Sequence, residues 1–230
     1  MLKKRIDDCK EVTLDFLKSV LEMDFGEVIK ESTDDSFLEK FPVVKLVFLA
    51  KSFCSTISLA HFIKKYASFI GPITQASLED PKFQIRLNDI LYNDKTFKKT
   101  IEQTIIELDR YQNEQKAELL GKLFVKTFKD NIFTREEYNT LLFSIELIHP
   151  TIGIKTFKSY YIYKQKMDTV KNDENRTIIW RAGAEIDFSP LATSCLLTLP
   201  NGSVRAGNFG GAYINDLGIR FYEHVVLWFT

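Results

Sequence analysis

Apolar positions recur every three or four residues along most of the first 170 residues, the period of helices that each bury one stripe. Residues 4–22 align Ile6, Cys9, Val12, Phe16, Val20 and Leu21 in this way. A polar stretch from Lys30 to Ser36 follows, with Ser32, Thr33, Asp34 and Asp35 as capping residues. Pro42 suits the first turn of the next helix, predicted to run to about Ile70 with a break near Phe53-Cys54-Ser55. Gly71-Pro72 is expected to stop it, and a polar loop through Asp80-Pro81 to follow. Lys82 to Leu91 reads as a short helix, and Thr96 to Tyr111 as a longer one aligning Phe97, Ile101, Ile105 and Leu108.

Asn113 is placed to cap a helix whose face is Ala117, Leu120, Phe124 and Phe128. Gly121 lies inside that helix at a cost of about 1 kcal/mol relative to alanine, which the close approach of another helix would explain. Thr134-Arg135-Glu136-Glu137 has capping-box spacing. The helix it opens carries Tyr138, Leu141, Leu142, Ile145 and Ile148 and ends at His149-Pro150, where the imidazole can bond the free carbonyls or favour the helix dipole. Ile154 to Met167 is the next helix, and residues 171–176 are the predicted linker.

The pattern changes near residue 180. Six of the ten glycines fall between Gly183 and Gly218. Thr177 to Trp180 reads as a strand, and Pro190 to Leu197 as a short helix or a strand. Leu196 to Leu199, the turn Pro200-Asn201-Gly202-Ser203 and the residues from Val204 onward predict a hairpin. Gly207 to Gly211 is a loop, Ala212 to Ile214 a strand, and Asn215 caps a last helix from Asp216 to about Phe229.

Composition narrows the class. Of 230 residues, 45% are hydrophobic and 27% charged, enough for a sizeable core. Thirty-one basic residues balance 31 acidic ones, so any pull on nucleic acid or anionic lipid has to be local. Charge is nevertheless uneven. Residues 1–40 hold seven basic and eleven acidic side chains, and the 38 residues from Phe41 to Leu78 hold no acid at all. Lys45, Lys51, Lys64 and Lys65 there lie among valine, leucine, isoleucine and phenylalanine, which reads as core helix or as a surface for a membrane or a partner. Val43 to Ala60 is interrupted by Lys45 and Lys51, and a lysine near the centre of a span costs about 2.5–3.5 kcal/mol. A permanent span is not expected. Reversible exposure of residues 41–70 stays as an alternative, one that needs a switch because an open apolar patch invites aggregation.

A second acid-free stretch lies between Glu146 and Asp168. Its lysines, Lys155, Lys158, Lys164 and Lys166, alternate with Phe157, Tyr160, Tyr161 and Tyr163. Lysines neutralise phosphates and tyrosines stack on bases, so Lys155, Lys158, Tyr161, Lys164 and Lys166 form a candidate nucleic-acid surface. The other reading is an amphipathic helix with its aromatics inward and its lysines in water.

Catalytic chemistry finds no support. His61, His149 and His224 share no metal-ligand spacing with one another or with cysteine. Cys9, Cys54 and Cys195 are odd in number and far apart, so they read as reduced, buried thiols of a cytoplasmic protein and not as a disulfide framework. The N-terminus lacks the apolar centre of a secretory signal. The pairs Asp7/Asp8, Asp34/Asp35 and Glu136/Glu137 do not face one another on a helix. Gly207-Asn208-Phe209-Gly210-Gly211 lacks the Lys-Ser/Thr of a phosphate loop. No catalytic, cofactor-binding or metal-binding residue is expected, and no cofactor.

Three segments carry a resemblance. They are Phe41-Pro42-Val43-Val44 with the later Phe62 to Ile70, Glu114 to Phe124, and Tyr213 to Tyr222. In these the chain resembles uncharacterised bacterial and phage-associated proteins built as an α-helical body followed by a winged-helix-like tail. The resemblance implies a mobile-element or antiviral setting and supplies no catalytic residues. The expected fold is therefore mainly α: a helical bundle over residues 1–170 and a small α+β, winged-helix-like region over 177–230. The expected function is a non-enzymatic interaction protein of a phage-defence or mobile-element system, with a protein partner or self-association. The alternatives are a membrane-active effector that exposes residues 41–70, making conditional membrane contact, and a nucleic-acid-binding regulator.

Overall fold

The computed structural model describes residues 59–170, 185–199 and 212–227. The predicted helix at 4–22, most of the one from Pro42, the linker at 171–176, the strand at 177–180 and the glycine-rich loop lie outside them. The described chain is mainly helical, with one small two-stranded antiparallel sheet. Packing divides it into two units, one up to Asn131 and one from Ile132.

In the first unit, α1 spans Leu59–Glu79, α2 Pro81–Asn93, α3 Lys95–Arg110 and α4 Glu114–Phe128. Gly71-Pro72 does not stop α1, contrary to expectation; Pro72 lies inside it. A proline in a helix interior costs about 3 kcal/mol. Beyond it Ile73 and Ala76 are buried, and full burial of one large apolar side chain returns about 1.5–3 kcal/mol. Tertiary packing of this order offsets the local stop signal. The end of α1 is tied down as well, because Lys129 Nζ donates to the Ala76 carbonyl at 3.2 Å.

The expected polar loop shrinks to Asp80 alone, which accepts from the Lys82 amide at 3.1 Å and opens α2 with Pro81 at its first position. Asp94 does the same for α3, accepting from Thr96 and Phe97 at 2.8 and 3.0 Å. Asn113 caps α4 as predicted, accepting from Lys116 at 3.0 Å. The core between these helices is aromatic. Phe124 meets Phe69 edge-on at 5.9 Å, and Phe128 meets Phe97 edge-on at 4.9 Å.

Gly121 sets how closely α4 lies on α1. A Cβ there would strike the Phe69 carbonyl oxygen and stand 3.2 Å from Pro72 Cγ. The glycine predicted to mark close helix approach does so, next to the proline that failed to end the helix.

In the second unit, α5 spans Arg135–Leu147 and α6 Ile152–Thr169. The capping box forms as predicted: Glu137 N donates to Thr134 Oγ1 at 3.1 Å, and Thr134 N donates to the Glu137 carboxylate at 2.9 Å. The role read for His149 is reversed. Its Nδ1 accepts from the Thr151 and Ile152 amides at 3.3 and 3.2 Å, so the ring serves the start of α6 and not the end of α5.

Among the described residues, α6 is followed by a 3-10 turn at Ser189–Leu191, β1 at Leu197–Thr198 and β2 at Tyr213–Ile214. Leu197 pairs with Ile214 and Thr198 with Tyr213. The strand expected from Val204 lies outside the described residues; the described partner of β1 is the strand predicted at 212–214. Asn215 caps α7, Asp216–Phe221, accepting from Gly218 N at 2.8 Å while donating to the Cys195 carbonyl at 2.9 Å. A Cβ on Gly218 would collide with the Leu196 carbonyl, so this glycine lets α7 sit directly against the lead-in to β1. The chain continues as a π turn over Tyr222–Val226.

The division predicted at 171–176 lies outside the described residues. Within them, α6 packs on the 3-10 turn, on β2 and on the π turn, so it belongs with the C-terminal elements.

Candidate interaction surface

Helix α6 has two unlike faces, and the inner one follows from its aromatics. Phe157, Tyr160 and Tyr163 are buried. Phe157 packs edge-on against Tyr222 at 5.4 Å and near Phe221 at 6.1 Å. The Tyr160 hydroxyl donates to the Ile186 carbonyl at 3.0 Å, and burial, with Asp187 and Tyr163 adding to it, pushes that phenol up to about 12.

Tyr161 does not join an open surface. Its ring stacks on Tyr222 at 4.3 Å, and its hydroxyl donates to Glu223 Oε1 at 2.8 Å. Burial and that carboxylate raise its pKa. A ring held in this way is not available to a base.

The outer face carries Ile152, Lys155, Lys158, Ser159, Ile162 and Lys166. At 3.6 residues per turn these fall within an arc of about 120°. Lys164 falls roughly opposite, and it pairs with Asp168 at 2.6 Å. The structure thus brings three of the four predicted lysines together and separates the fourth. Among the described residues no carboxylate pairs with Lys155, Lys158 or Lys166. Ile152 is 57% and Ile162 39% exposed. These isoleucines are the part that sequence reasoning missed. Their spacing from the lysines was visible, but an isoleucine at helical spacing reads as core until its neighbours are known.

The other predicted surface is distributed differently. Lys45 and Lys51 lie outside the described residues, and so does the side chain of Lys64. Lys65 is buried, donates to the Asp109 carbonyl at the end of α3 and stands 3.7 Å from the Asp109 carboxylate. Tyr66, Ala67, Phe69 and Ile70 are core. Residues 65–70 are therefore packed inside, as the core-helix reading of this segment expects. No described helix is long and apolar enough to cross a membrane.

Among the described residues no cluster of histidine, cysteine, aspartate or glutamate could hold a metal ion. Cys195 is exposed and not buried as expected. It sits at φ 58° in the bend between the buried Ser194 and Leu196. His224 is half-buried in the π turn. His61 and Cys54 cannot be paired with any described group, since neither side chain is among the described residues.

No protein-family model, curated protein or solved structure matches the chain.

Proposed function

We propose that this chain is a non-enzymatic interaction protein whose contact surface is the outer face of α6. One observation carries the reading: three lysines that pair with no carboxylate among the described residues and two exposed isoleucines share one face of a helix whose other face is anchored in the core. Covering an isoleucine is favourable, and because Ile152 and Ile162 are already partly buried each would release about 0.6–1.7 kcal/mol. Lysines beside it add charge selectivity and give up little when they pair at a rim. Within this proposal the C-terminal region is winged-helix-like, supported by the order of β2, the Asn215 cap and α7. The antiviral or mobile-element setting rests on the resemblance of the three segments, and the neighbouring genes test it.

The surface is tested by placing a photo-crosslinking side chain at position 162 in cells, with position 164 as control. Crosslinks to one defined site on one partner, from 162 and not from 164, support the reading. An uncrosslinked chain at both positions rejects it.

A further inference from the structure

We infer that the partner of the α6 face is an acidic amphipathic helix; this rests on α6 being the contact surface. From Ile152 to Lys166 the face is about 21 Å long, four helical turns. Its positions 152, 155, 159, 162 and 166 follow the three–four alternation with which helices pack side by side. A partner helix of similar length can lay its apolar stripe over Ile152 and Ile162. The lysine stems extend the apolar strip, and their ammonium groups reach outward to carboxylates on the flanks of the partner.

Three features favour an acidic helix over nucleic acid. The face lacks an exposed aromatic ring for stacking, since Tyr160 and Tyr163 are buried and Tyr161 lies on Tyr222. Three lysines neutralise few phosphates, and the neutral chain adds no wider field. Phosphate backbones give nothing to Ile152 and Ile162, whereas a helix stripe buries them. The absence of acidic residues from Leu147 to Met167 removes like-charge repulsion toward glutamates on the partner.

The test uses the full chain and two synthetic three-heptad helices, each with leucine at the a and d positions. One carries glutamate at e and g, the other lysine, so that like charges keep either from pairing with itself. Binding is read by fluorescence anisotropy at several salt concentrations, with a DNA duplex as a third probe. The glutamate helix is expected to bind and the lysine helix not. Replacing Lys155, Lys158 and Lys166 with glutamine should weaken that binding roughly tenfold and flatten its salt dependence. Ile152→Ser with Ile162→Ser should weaken it by at least about tenfold, and Lys164→Gln should leave it unchanged.

Equal binding of both helices, or of neither, overturns the inference, while a crosslink from position 162 would still stand and keep α6 as the surface. DNA binding that needs the lysines and ignores the isoleucines overturns it in favour of nucleic acid.

Discussion

Arg220 holds the Glu137 carboxylate with both terminal nitrogens of its guanidinium. Nη2 bonds Oε1, and Nη1 reaches Oε2 at 3.3 Å and the Ile132 carbonyl at 3.1 Å. The guanidinium carbon stands 5.5 Å from the centre of the Phe133 ring. Glu137 is also the residue that closes the capping box on Thr134. One carboxylate therefore starts α5 and ties α7 to it, across 83 residues of sequence.

The cap is expected to be worth about 0.5–2 kcal/mol. Thr134→Ala should lower the denaturation midpoint by a corresponding amount, and Thr134→Ser should restore most of it. An unchanged midpoint in Thr134→Ala would mean that α5 does not depend on this hydroxyl.

The Arg220 pair predicts a pH dependence. Hydrogen bonds from Arg220, foremost, hold the Glu137 carboxyl below the usual glutamate range. A lowered folded-state value means that the contribution is complete above about pH 4.3, the unfolded value, and is lost as pH falls through the lower folded one. Both side chains are partly exposed, 37% for Arg220 and 27% for Glu137, so the coupling should be only about 0.2–1 kcal/mol. A double-mutant cycle with Glu137→Gln and Arg220→Met measures it at neutral pH, and the coupling should fade in acid. Coupling that grows on acidification would contradict the pair.

Gly121→Ala raises helix propensity by about 1 kcal/mol, which alone would stabilise α4. The new methyl group would strike the backbone carbonyl of Phe69, which cannot swing aside as a side chain could. Overpacking of this kind costs about 1–3 kcal/mol, so the net effect should be destabilising. A thermal melt decides the sign.

His149 contributes as an acceptor at the start of α6. His149→Leu removes the acceptor and should cost about 0.5–1 kcal/mol, while His149→Asn keeps a side-chain oxygen there and should recover part of it. Chemical denaturation of the two variants compares them. Equal losses would show that the ring acts only by packing.

How much of this was legible depended on the range of the interaction. Caps involve residues two to three apart, so Asn113, Thr134 with Glu137, and Asn215 could be read from spacing alone. Gly121 was legible because a glycine in an otherwise regular apolar helix has few physical explanations. Pro72 was not, because its local cost is offset by the burial of Ile73 and Ala76, which depends on α4. His149 follows one helix and precedes another, and sequence alone does not say which end its ring will serve. On α6 the alternation of lysines and aromatics was plain. The opposite placement of Lys164 follows from the helix period alone, whereas the capture of Tyr161 by Tyr222 and the outward turn of Ile152 and Ile162 required the tail to be in place.

The central claim, that the outer face of α6 is covered by a partner, is tested most directly by lysine footprinting. A cell-permeant amine reagent is applied to cells and to the purified chain, and labelling is read by mass spectrometry. The account predicts that Lys155, Lys158 and Lys166 label more slowly in cells than in the purified protein, while Lys164, paired to Asp168, labels alike in both. Equal labelling of Lys155, Lys158 and Lys166 in the two settings would contradict it.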